Sequence, residues 1–506
     1  MNHGFYRDSG RYPRSAKISE HRANVSAHDQ QTRLYGTAVT VTDVDAIRTS
    51  WSSRSAFLMA SIGGAVGLGN LWRFPYIAGE NGGGGFVLIY LGFVFLLGLP
   101  IMAGELLLGR RGHRSPVSSI VHLVRQENAS SFWHSIGWLS LLVPVIGLSY
   151  YAVVAAWSLD YLALAFTDSF HGFDASTSQD VFGERVNKPV YQATLHGVFI
   201  AMTVWIVARG VNDGIERATR FLMPALYGVI LIMVGYGMVA GDFAAAVEFL
   251  FKPDFSEITG QSVLIALGQA LFSLAIGVGM LITYSAYMPR DFSLKQSAAV
   301  ICIGDTLAAL LAGLAIFPIV FASGLDPAEG PGLIFVTLPI AFGNMPGGQI
   351  FGTLFFVLLF FAAYTSALGM LEPVVAWLEE HFPGKRRQLA VISGFAIWVL
   401  GLGSVFSFSI ASDFFPLAFM GIEKTFFGLA DFTIANVLLP VNALLIALFA
   451  GWVIKSAAAD EEFYQDSAAW RTYWRFTNRY VAPVAIGIIL WDLLDITTVF
   501  SNLINN

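Results

Sequence analysis

The sequence has little charge and almost no cysteine, and both shortages narrow the class of protein. Asp, Glu, Lys and Arg make up 13% of the 506 residues, while hydrophobic residues make up 55%. Soluble domains carry about twice that share of charge, so the composition excludes an ordinary soluble fold and indicates a membrane protein. The single cysteine, Cys302, lies in an apolar stretch and excludes an intrachain disulfide.

Clusters of catalytic residues are also missing. The nine histidines are scattered and no group has the spacing of metal ligands, so we predict no enzyme and no catalytic residue. The net charge of −6 comes without a basic aromatic patch, which gives no indication of nucleic-acid binding.

Long apolar stretches are abundant instead. A block of about 20 such residues crosses roughly 30 Å of hydrocarbon as a helix, and helices satisfy their own backbone hydrogen bonds there. We therefore predict an all-α polytopic membrane protein with about eleven spans. Their expected ranges are 54–78, 86–110, 134–167, 192–209, 218–240, 262–285, 296–323, 347–380, 388–406, 431–454 and 478–500.

Lys and Arg are distributed unevenly among the loops between these spans. A cytoplasmic N-terminus puts 16 of them in inner loops and four in outer loops, and this bias predicts that orientation. An odd number of spans then puts the C-terminus outside. Residues 1–50 are polar and lack the apolar core of a signal peptide, which predicts a cytoplasmic tail. Residues 456–506 are predicted to form an intracellular loop and the eleventh helix.

Two spans contain glycine patterns that disfavour a continuous helix. The first reads Gly-Gly-Ala-Val-Gly-Leu-Gly-Asn at 63–70, and the sixth reads Ser-Leu-Ala-Ile-Gly-Val-Gly at 273–279. Matching interruptions five spans apart indicate an inverted-repeat transporter, whose unwound backbone binds ions and substrate. Close helix packing is the alternative, but the polar residues Asn70, which ends the first pattern, and Arg73, which closely follows it, favour a break.

Several segments around these breaks resemble the neurotransmitter:sodium symporter family. They are Gly-Ala-Val-Gly-Leu-Gly-Asn-Leu-Trp-Arg-Phe-Pro at 64–75, Glu-Asn-Gly-Gly-Gly at 80–84, Gly-Gln-Ala-Leu-Phe-Ser at 268–273, Thr365-Ser366 and Glu372-Pro373. The resemblance covers roughly residues 48–455, and eleven spans are typical of the bacterial branch. It implies a ten-helix core at 51–455, with inverted repeats at 51–240 and 260–455 and discontinuous helices 1 and 6, in a bacterial inner membrane.

The resemblance also implies two sodium sites made of oxygen ligands. For the hydroxyls of Thr365 and Ser366, which are assigned to the second site, the alternative to binding sodium is a bond to a carbonyl one turn back in their own helix. The first site maps to Ala65, Asn70, Ser273 and Asp305. The second maps to the carbonyls of Gly63, Val66 and Ala362 and the hydroxyls of Thr365 and Ser366.

Asp305 would bury a carboxylate in an apolar helix, which costs several kcal/mol unless a cation offsets it. Animal members of the family hold chloride beside the first sodium. Tyr90, Gln269 and Ser273 match residues that hold chloride there, whereas Ala309 stands where a serine is expected. We predict that Asp305 supplies the fixed negative charge and that chloride is not required. The alternative is that Asp305 only bonds to a neighbouring helix.

The implied substrate is a small amino acid. Amine-transporting members hold the substrate ammonium with an aspartate, whereas this chain has Gly67 at that position, so the substrate must bring its own carboxylate to the first sodium. The walls of the implied pocket are mostly apolar, which predicts an apolar or aromatic side chain. The implied pocket residues are Gly64, Ala65, Leu68, Gly69, Gly147, Tyr151, Val154, Phe272, Ser273, Ala275, Val278, Ser366 and Met370.

Charge pairs at both ends of the pathway complete the prediction of sodium-coupled symport by alternating access. Such pairs are each worth under about 1 kcal/mol, so they suit gates but can also be incidental. A proton-coupled carrier of the same fold is the main alternative, and it would place Lys or Arg at the second-site hydroxyls. The implied gates are Arg73 with Asp431 outside, and Arg48 with Glu380, near Trp51 and Tyr287, inside.

Overall fold

The computed structural model describes residues 50–325, 332–416 and 424–493, and within these ranges it is helical without a strand. The predicted tail, including Arg48, therefore lies almost entirely outside the described residues. We number the helices after the predicted spans. They are helix 1a (Arg54–Ala65), 1b (Gly69–Glu80), 2 (Gly84–Gly112), 3 (Ser131–Phe166), 4 (Pro189–Val207), 5 (Val211–Ala240), 6a (Gly260–Ser273), 6b (Met280–Ala286), 7 (Leu294–Ala322), 8 (Gly348–His381), 9 (Arg386–Phe406), 10 (Phe426–Val453) and 11 (Thr477–Val481 continued by Ala482–Leu493).

Eight of the described helices are long and apolar enough to cross a membrane. Helices 1a and 1b meet at a 53° bend and would make a ninth span if counted together. Helix 6 consists of two shorter pieces, and helix 11 is described only as far as Leu493. Each of the eleven predicted spans thus coincides with a helix or with a broken pair. Short helices in the connections are Pro116–Gln126, Ala175–Val186, Phe243–Phe251, Leu333–Asn344, Ser456–Glu462 and Ala468–Phe476.

The break in helix 1 is shorter than the glycine pattern predicts. Helix 1a continues through Gly63 and Gly64, and only residues 66–67 leave the helix, with Val66 in an extended conformation. A Cβ on Gly64 would overlap the sulfur of Met280. Gly63 and Gly64 therefore serve close packing, whereas the break itself falls at Val66 and Gly67.

The break in helix 6 covers residues 274–279. Ala275, Gly277 and Gly279 have φ values of 52°, 87° and 88°, the left-handed region that side chains disfavour. A Cβ on Gly279 would overlap the backbone oxygen of Ser140 in helix 3. Glycine is therefore needed at position 279 for both its conformation and its close contact.

The packing of the long helices brings the two breaks together. Helix 8 packs along helix 3, and helix 1a packs against helices 5, 7 and 8. Helix 6b packs against helix 2. Both breaks consequently lie in the interior of the bundle, where unpaired backbone groups must find partners within the protein or in a ligand.

Candidate functional site

A cavity of about 60 Å³ lies between the two breaks. Twelve of the thirteen residues predicted for the substrate pocket line it, whereas Val154 lines a separate outer cavity. The central cavity is therefore lined by unwound backbone on one part of its surface and by apolar side chains on another. The lining also includes Gly67, the position of the ammonium-binding aspartate in amine-transporting members. Five further lining residues were not indicated by the sequence: Val143, Pro144, Tyr150, Ile434 and Leu439.

The helix 1 break lies against Tyr151 of helix 3 and Ser366 of helix 8. The backbone N–H of Leu68 donates a hydrogen bond of 3.3 Å to the Tyr151 hydroxyl. A Cβ on Gly67 would lie 2.5 Å from Oγ of Ser366 and 2.9 Å from the Tyr151 hydroxyl. No acidic side chain fits at position 67 without displacing these groups.

The residues predicted for the first sodium site form one buried hydrogen-bonded cluster. The Asn70 amide donates to an Asp305 carboxylate oxygen at 2.8 Å and to Oγ of Ser273 at 3.0 Å. The Ser273 hydroxyl donates to the other Asp305 oxygen at 2.5 Å, and the Asn70 side-chain oxygen accepts from the backbone N–H of Gly67 at 3.0 Å. Ala65 lies beside this cluster in the cavity wall.

Asp305 is fully buried, and no Lys, Arg or His of the described residues lies within 4 Å of it. An ionised carboxylate in this position is unfavourable without a cation. Tyr90 donates to Oγ of Ser273 at 3.2 Å, and Ala309 is buried in the same helix as Asp305. The cluster therefore gathers the Ser273 and Tyr90 hydroxyls around a buried carboxyl group that has no basic partner among the described residues.

The residues predicted for the second sodium site meet where helix 8 faces helix 1a. The Ser366 hydroxyl donates to the carbonyl oxygens of Gly64 at 2.9 Å and Val66 at 3.4 Å. A Cβ on Gly63 would lie 3.2 Å from Cβ of Thr365. The Thr365 hydroxyl bonds within its own helix to the carbonyls of Phe361 at 3.0 Å and Ala362 at 3.1 Å. Thus Ser366 bonds across to the break, while Thr365 bonds back along helix 8.

An outer cavity of about 260 Å³ adjoins the central one, and Tyr151 and Phe272 line both. Arg73 and Asp431 face this outer cavity, but no ion pair within 4 Å joins them. The Arg73 guanidinium lies 4.3 Å from the centre of the Phe272 ring, a cation–π contact. The two residues predicted for the outer gate therefore face one cavity without forming a salt bridge.

Buried polar contacts join the residues around Trp51 and Tyr287, which were predicted to lie near the inner gate. Trp51 donates through its indole N–H to the backbone oxygen of Tyr284 at 2.8 Å and through its backbone N–H to that of Tyr287 at 3.2 Å. The Tyr287 hydroxyl donates to Glu372 at 3.0 Å, and Arg386 forms an ion pair with the same carboxylate. The sequence did not indicate Arg386 as the partner of Glu372.

The predicted inner gate residue Glu380 has a different partner in the described structure. Its carboxylate accepts hydrogen bonds from the backbone N–H and the hydroxyl of Ser115, at 2.5 and 2.6 Å. Ser115 precedes the short helix Pro116–Gln126. Glu380 therefore ties helix 8 to the connection between helices 2 and 3, and Arg48 lies outside the described residues.

The helix 6 break is held by two polar side chains from the surrounding helices. Glu105 of helix 2 accepts a 2.6 Å hydrogen bond from the backbone N–H of Gly277, and the Asn442 amide of helix 10 donates to the carbonyl of Gly277 at 2.7 Å. The sequence did not indicate Asn442 as a partner of this break. The available signal was a polar residue inside an otherwise apolar helix.

Comparisons with known proteins agree with this geometry. The model of the sodium:neurotransmitter symporter family matches residues 48–181 and 184–496. An uncharacterised sodium-dependent transporter of Bacillus subtilis (strain 168), YhdH, is 38% identical over 88% of this chain and 98% of its own length. An uncharacterised sodium-dependent transporter of Haemophilus influenzae is 30% identical over 87% and 97%. The crystal structure of MhsT in complex with L-phenylalanine has a TM-score of 0.80 at 37% identity, covering 88% of this chain and all of MhsT.

Proposed function

Because this chain belongs to the sodium:neurotransmitter symporter family, we propose that it carries an apolar or aromatic α-amino acid by alternating access. The chain is a sodium-coupled, multi-pass membrane transporter of a small molecule. Its family consists of secondary transporters, not enzymes. The proposal further includes two sodium ions, no chloride requirement, and a bacterial inner membrane with the N-terminus in the cytoplasm.

The observation that carries the proposal is the buried carboxylate of Asp305, which is hydrogen-bonded to Ser273 in the wall of the central cavity. It has no basic partner within 4 Å among the described residues, while the Ser273 hydroxyl and the Asn70 amide group both donate to it. A sodium ion there would offset the buried charge and ligate the carboxylate of a bound amino acid. The same fixed charge supports independence from chloride.

The apolar wall supports a substrate with an apolar or aromatic side chain. A Cβ on Gly147 would meet only the Met370 sulfur, at 3.9 Å, so the cavity can expand there. The volume of the central cavity, about 60 Å³, is less than the roughly 150 Å³ of a cavity that accepts benzene. An aromatic side chain therefore requires movement of a flexible neighbour such as Met370. MhsT was crystallised with L-phenylalanine, which supports the same substrate class.

The proton-coupled alternative is disfavoured by the second site. Thr365 and Ser366 occupy the positions where a fixed cation would replace sodium, and the Ser366 hydroxyl already reaches the helix 1 break. Neutral oxygens at this position suit a monovalent metal ion better than a proton.

Uptake by proteoliposomes tests the proposal. Labelled phenylalanine is supplied with an inward sodium gradient, with choline at the same pH, or with an inward proton gradient and no sodium, and each condition is repeated with gluconate in place of chloride. We expect uptake with sodium only, equal in both anions. Leucine, methionine, tyrosine and tryptophan should compete better than aspartate, glutamate or lysine.

Each part of the proposal has its own contrary result. Uptake driven by protons without sodium would favour the alternative carrier. A strict chloride requirement would remove the proposed role of Asp305, and better competition by charged amino acids would overturn the substrate class.

A further inference from the structure

Two open grooves flank helix 4 at the end where helices 5 and 9 begin. The first has a volume of about 710 Å³ and lies between helices 4 and 5, with Tyr364 of helix 8 at its base. The second has a volume of about 790 Å³ and lies between helices 4 and 9. Four residues line both grooves and form the wall between them: Ala201, Trp205, Arg209 and Asp213.

Large apolar side chains in the walls of both grooves are unusually exposed. Trp205 is 58% exposed, Phe221 in the first groove 69%, and Phe395 in the second 63%. In a chain that spans the membrane, such concave apolar surfaces face acyl chains. The grooves therefore have the chemistry to seat lipid tails.

The same end of the grooves carries an excess of positive charge. Arg209 lines both grooves, Arg217 the first and Arg387 the second, against one carboxylate, Asp213. All three arginines are exposed, and none forms an ion pair within 4 Å in the described part of the chain. The Arg209 guanidinium lies 3.6 Å from the centre of the Trp205 ring, which positions it at the shared wall.

From this juxtaposition we propose that the two grooves bind anionic phospholipids. The tails lie against Trp205, Phe221 and Phe395, and the phosphates pair with Arg209 and with either Arg217 or Arg387. Basic residues beside apolar grooves at a membrane surface recognise this combination of phosphate and acyl chain. In the proposed orientation these arginines face the cytoplasmic leaflet, where anionic lipid attracts basic residues. This site is separate from the sodium and substrate sites.

Lipid titration of the purified full chain tests the proposal without sodium or substrate, so the result does not depend on the transport function. Phosphatidylglycerol or phosphatidylcholine with identical acyl chains is added to detergent-solubilised protein, and lipid retention is followed by native mass spectrometry beside the thermal unfolding midpoint. We expect phosphatidylglycerol to be retained and to raise the midpoint more than phosphatidylcholine. Glycerol 3-phosphate should have no effect, because it lacks the tails.

Variants test separately whether lipid retention depends on the charge of the arginines and on the open shape of the grooves. Arg209→Gln and Arg387→Gln should each weaken phosphatidylglycerol retention about fivefold, whereas Arg125→Gln, an exposed arginine outside both grooves, should leave it unchanged. Ala201→Trp fills both grooves without changing charge and should reduce retention, and Val239→Trp, at an 88% exposed position elsewhere, should not. Equal retention of the two lipids, protection by glycerol 3-phosphate, or normal retention by Ala201→Trp would each overturn the proposal.

Discussion

The two interrupted helices break in different ways. The helix 1 break takes two residues, 66 and 67, neither of which has a positive φ. The helix 6 break takes six residues and places Ala275, Gly277 and Gly279 in the left-handed region. The first is a small departure from helical geometry, whereas the second is a defined turn with its own conformational cost.

The partners of the two breaks differ as well. Around helix 1, backbone groups bond to Asn70, Tyr151 and Ser366, all of which are proposed ligands of sodium or substrate. Around helix 6, Gly277 bonds to Glu105 and Asn442, which belong to neither site. We infer that the helix 1 break exchanges partners during transport, while the helix 6 break is permanently held by the scaffold. Substitutions at the two breaks should therefore affect different properties.

The largest effect is expected for Glu105→Ala, which removes the carboxylate that holds Gly277. A buried backbone N–H loses its side-chain acceptor, which costs up to roughly 3 kcal/mol, so the unfolding midpoint and uptake should both fall. Glu105→Gln keeps an acceptor and should lose less. Thermal unfolding in detergent and uptake measure both, with Glu248→Ala, an exposed acid paired with Lys252, as the control. Normal stability in Glu105→Ala would show that helix 6 does not need this bond.

Asp305→Asn should change ion dependence more than stability. The variant keeps the shape of the side chain but removes the fixed charge beside the first sodium site, at a cost of roughly 2–3 kcal/mol to the bound state. Uptake in gluconate should fall about 50-fold, and chloride should restore part of it by supplying a mobile negative charge. Parallel uptake assays in the two anions measure this. Equal uptake by variant and wild type in gluconate would contradict the proposed role of Asp305.

Both breaks could be predicted from the sequence, because glycine patterns and intramembrane polar residues mark positions where a continuous membrane helix is energetically unfavourable. It did not give their lengths, because Gly63 and Gly64 stay helical where Met223 and Met280 fill the space beside them. Ala275 carries no signal of its left-handed conformation, since alanine favours helices and only the surrounding contacts impose the turn. The fold class, the spans and most pocket-lining residues were therefore predictable.

Side-chain pairing was less predictable, because it depends on distances that spacing does not contain. Arg73 and Asp431 line one cavity, yet the Arg73 guanidinium makes a cation–π contact with Phe272 instead of an ion pair with Asp431. Glu372 pairs with Arg386 from the next helix, a contact that depends on how helices 8 and 9 pack. Charges at helix ends have several partners within reach, so their pairing follows tertiary packing.

A smaller effect is expected for Thr365→Ala, on the helix 1 side. Loss of one hydroxyl ligand should raise the sodium concentration for half-maximal uptake about tenfold, with little change in the unfolding midpoint. Thr365→Ser should restore sodium affinity. The matched control is Thr353→Ala, because the Thr353 hydroxyl also bonds one turn back in helix 8, to Gln349. If both alanine variants changed sodium dependence equally, Thr365 would have only its intrahelical bond.

The smallest effect is expected for Ala275→Gly, which relieves the left-handed conformation of the helix 6 break. Relief of roughly 1–2 kcal/mol of strain is partly offset by the entropy of glycine, about 0.5–1 kcal/mol. The unfolding midpoint should rise slightly and uptake should change less than about threefold. Gly277→Ala is the opposing variant, because its Cβ would lie 2.9 Å from the backbone oxygen of Leu439 at a φ of 87°. Since the scaffold holds this turn, the two substitutions should shift the unfolding midpoint in opposite directions. If both variants lowered the midpoint equally, the packing of the Ala275 side chain would outweigh its conformational strain.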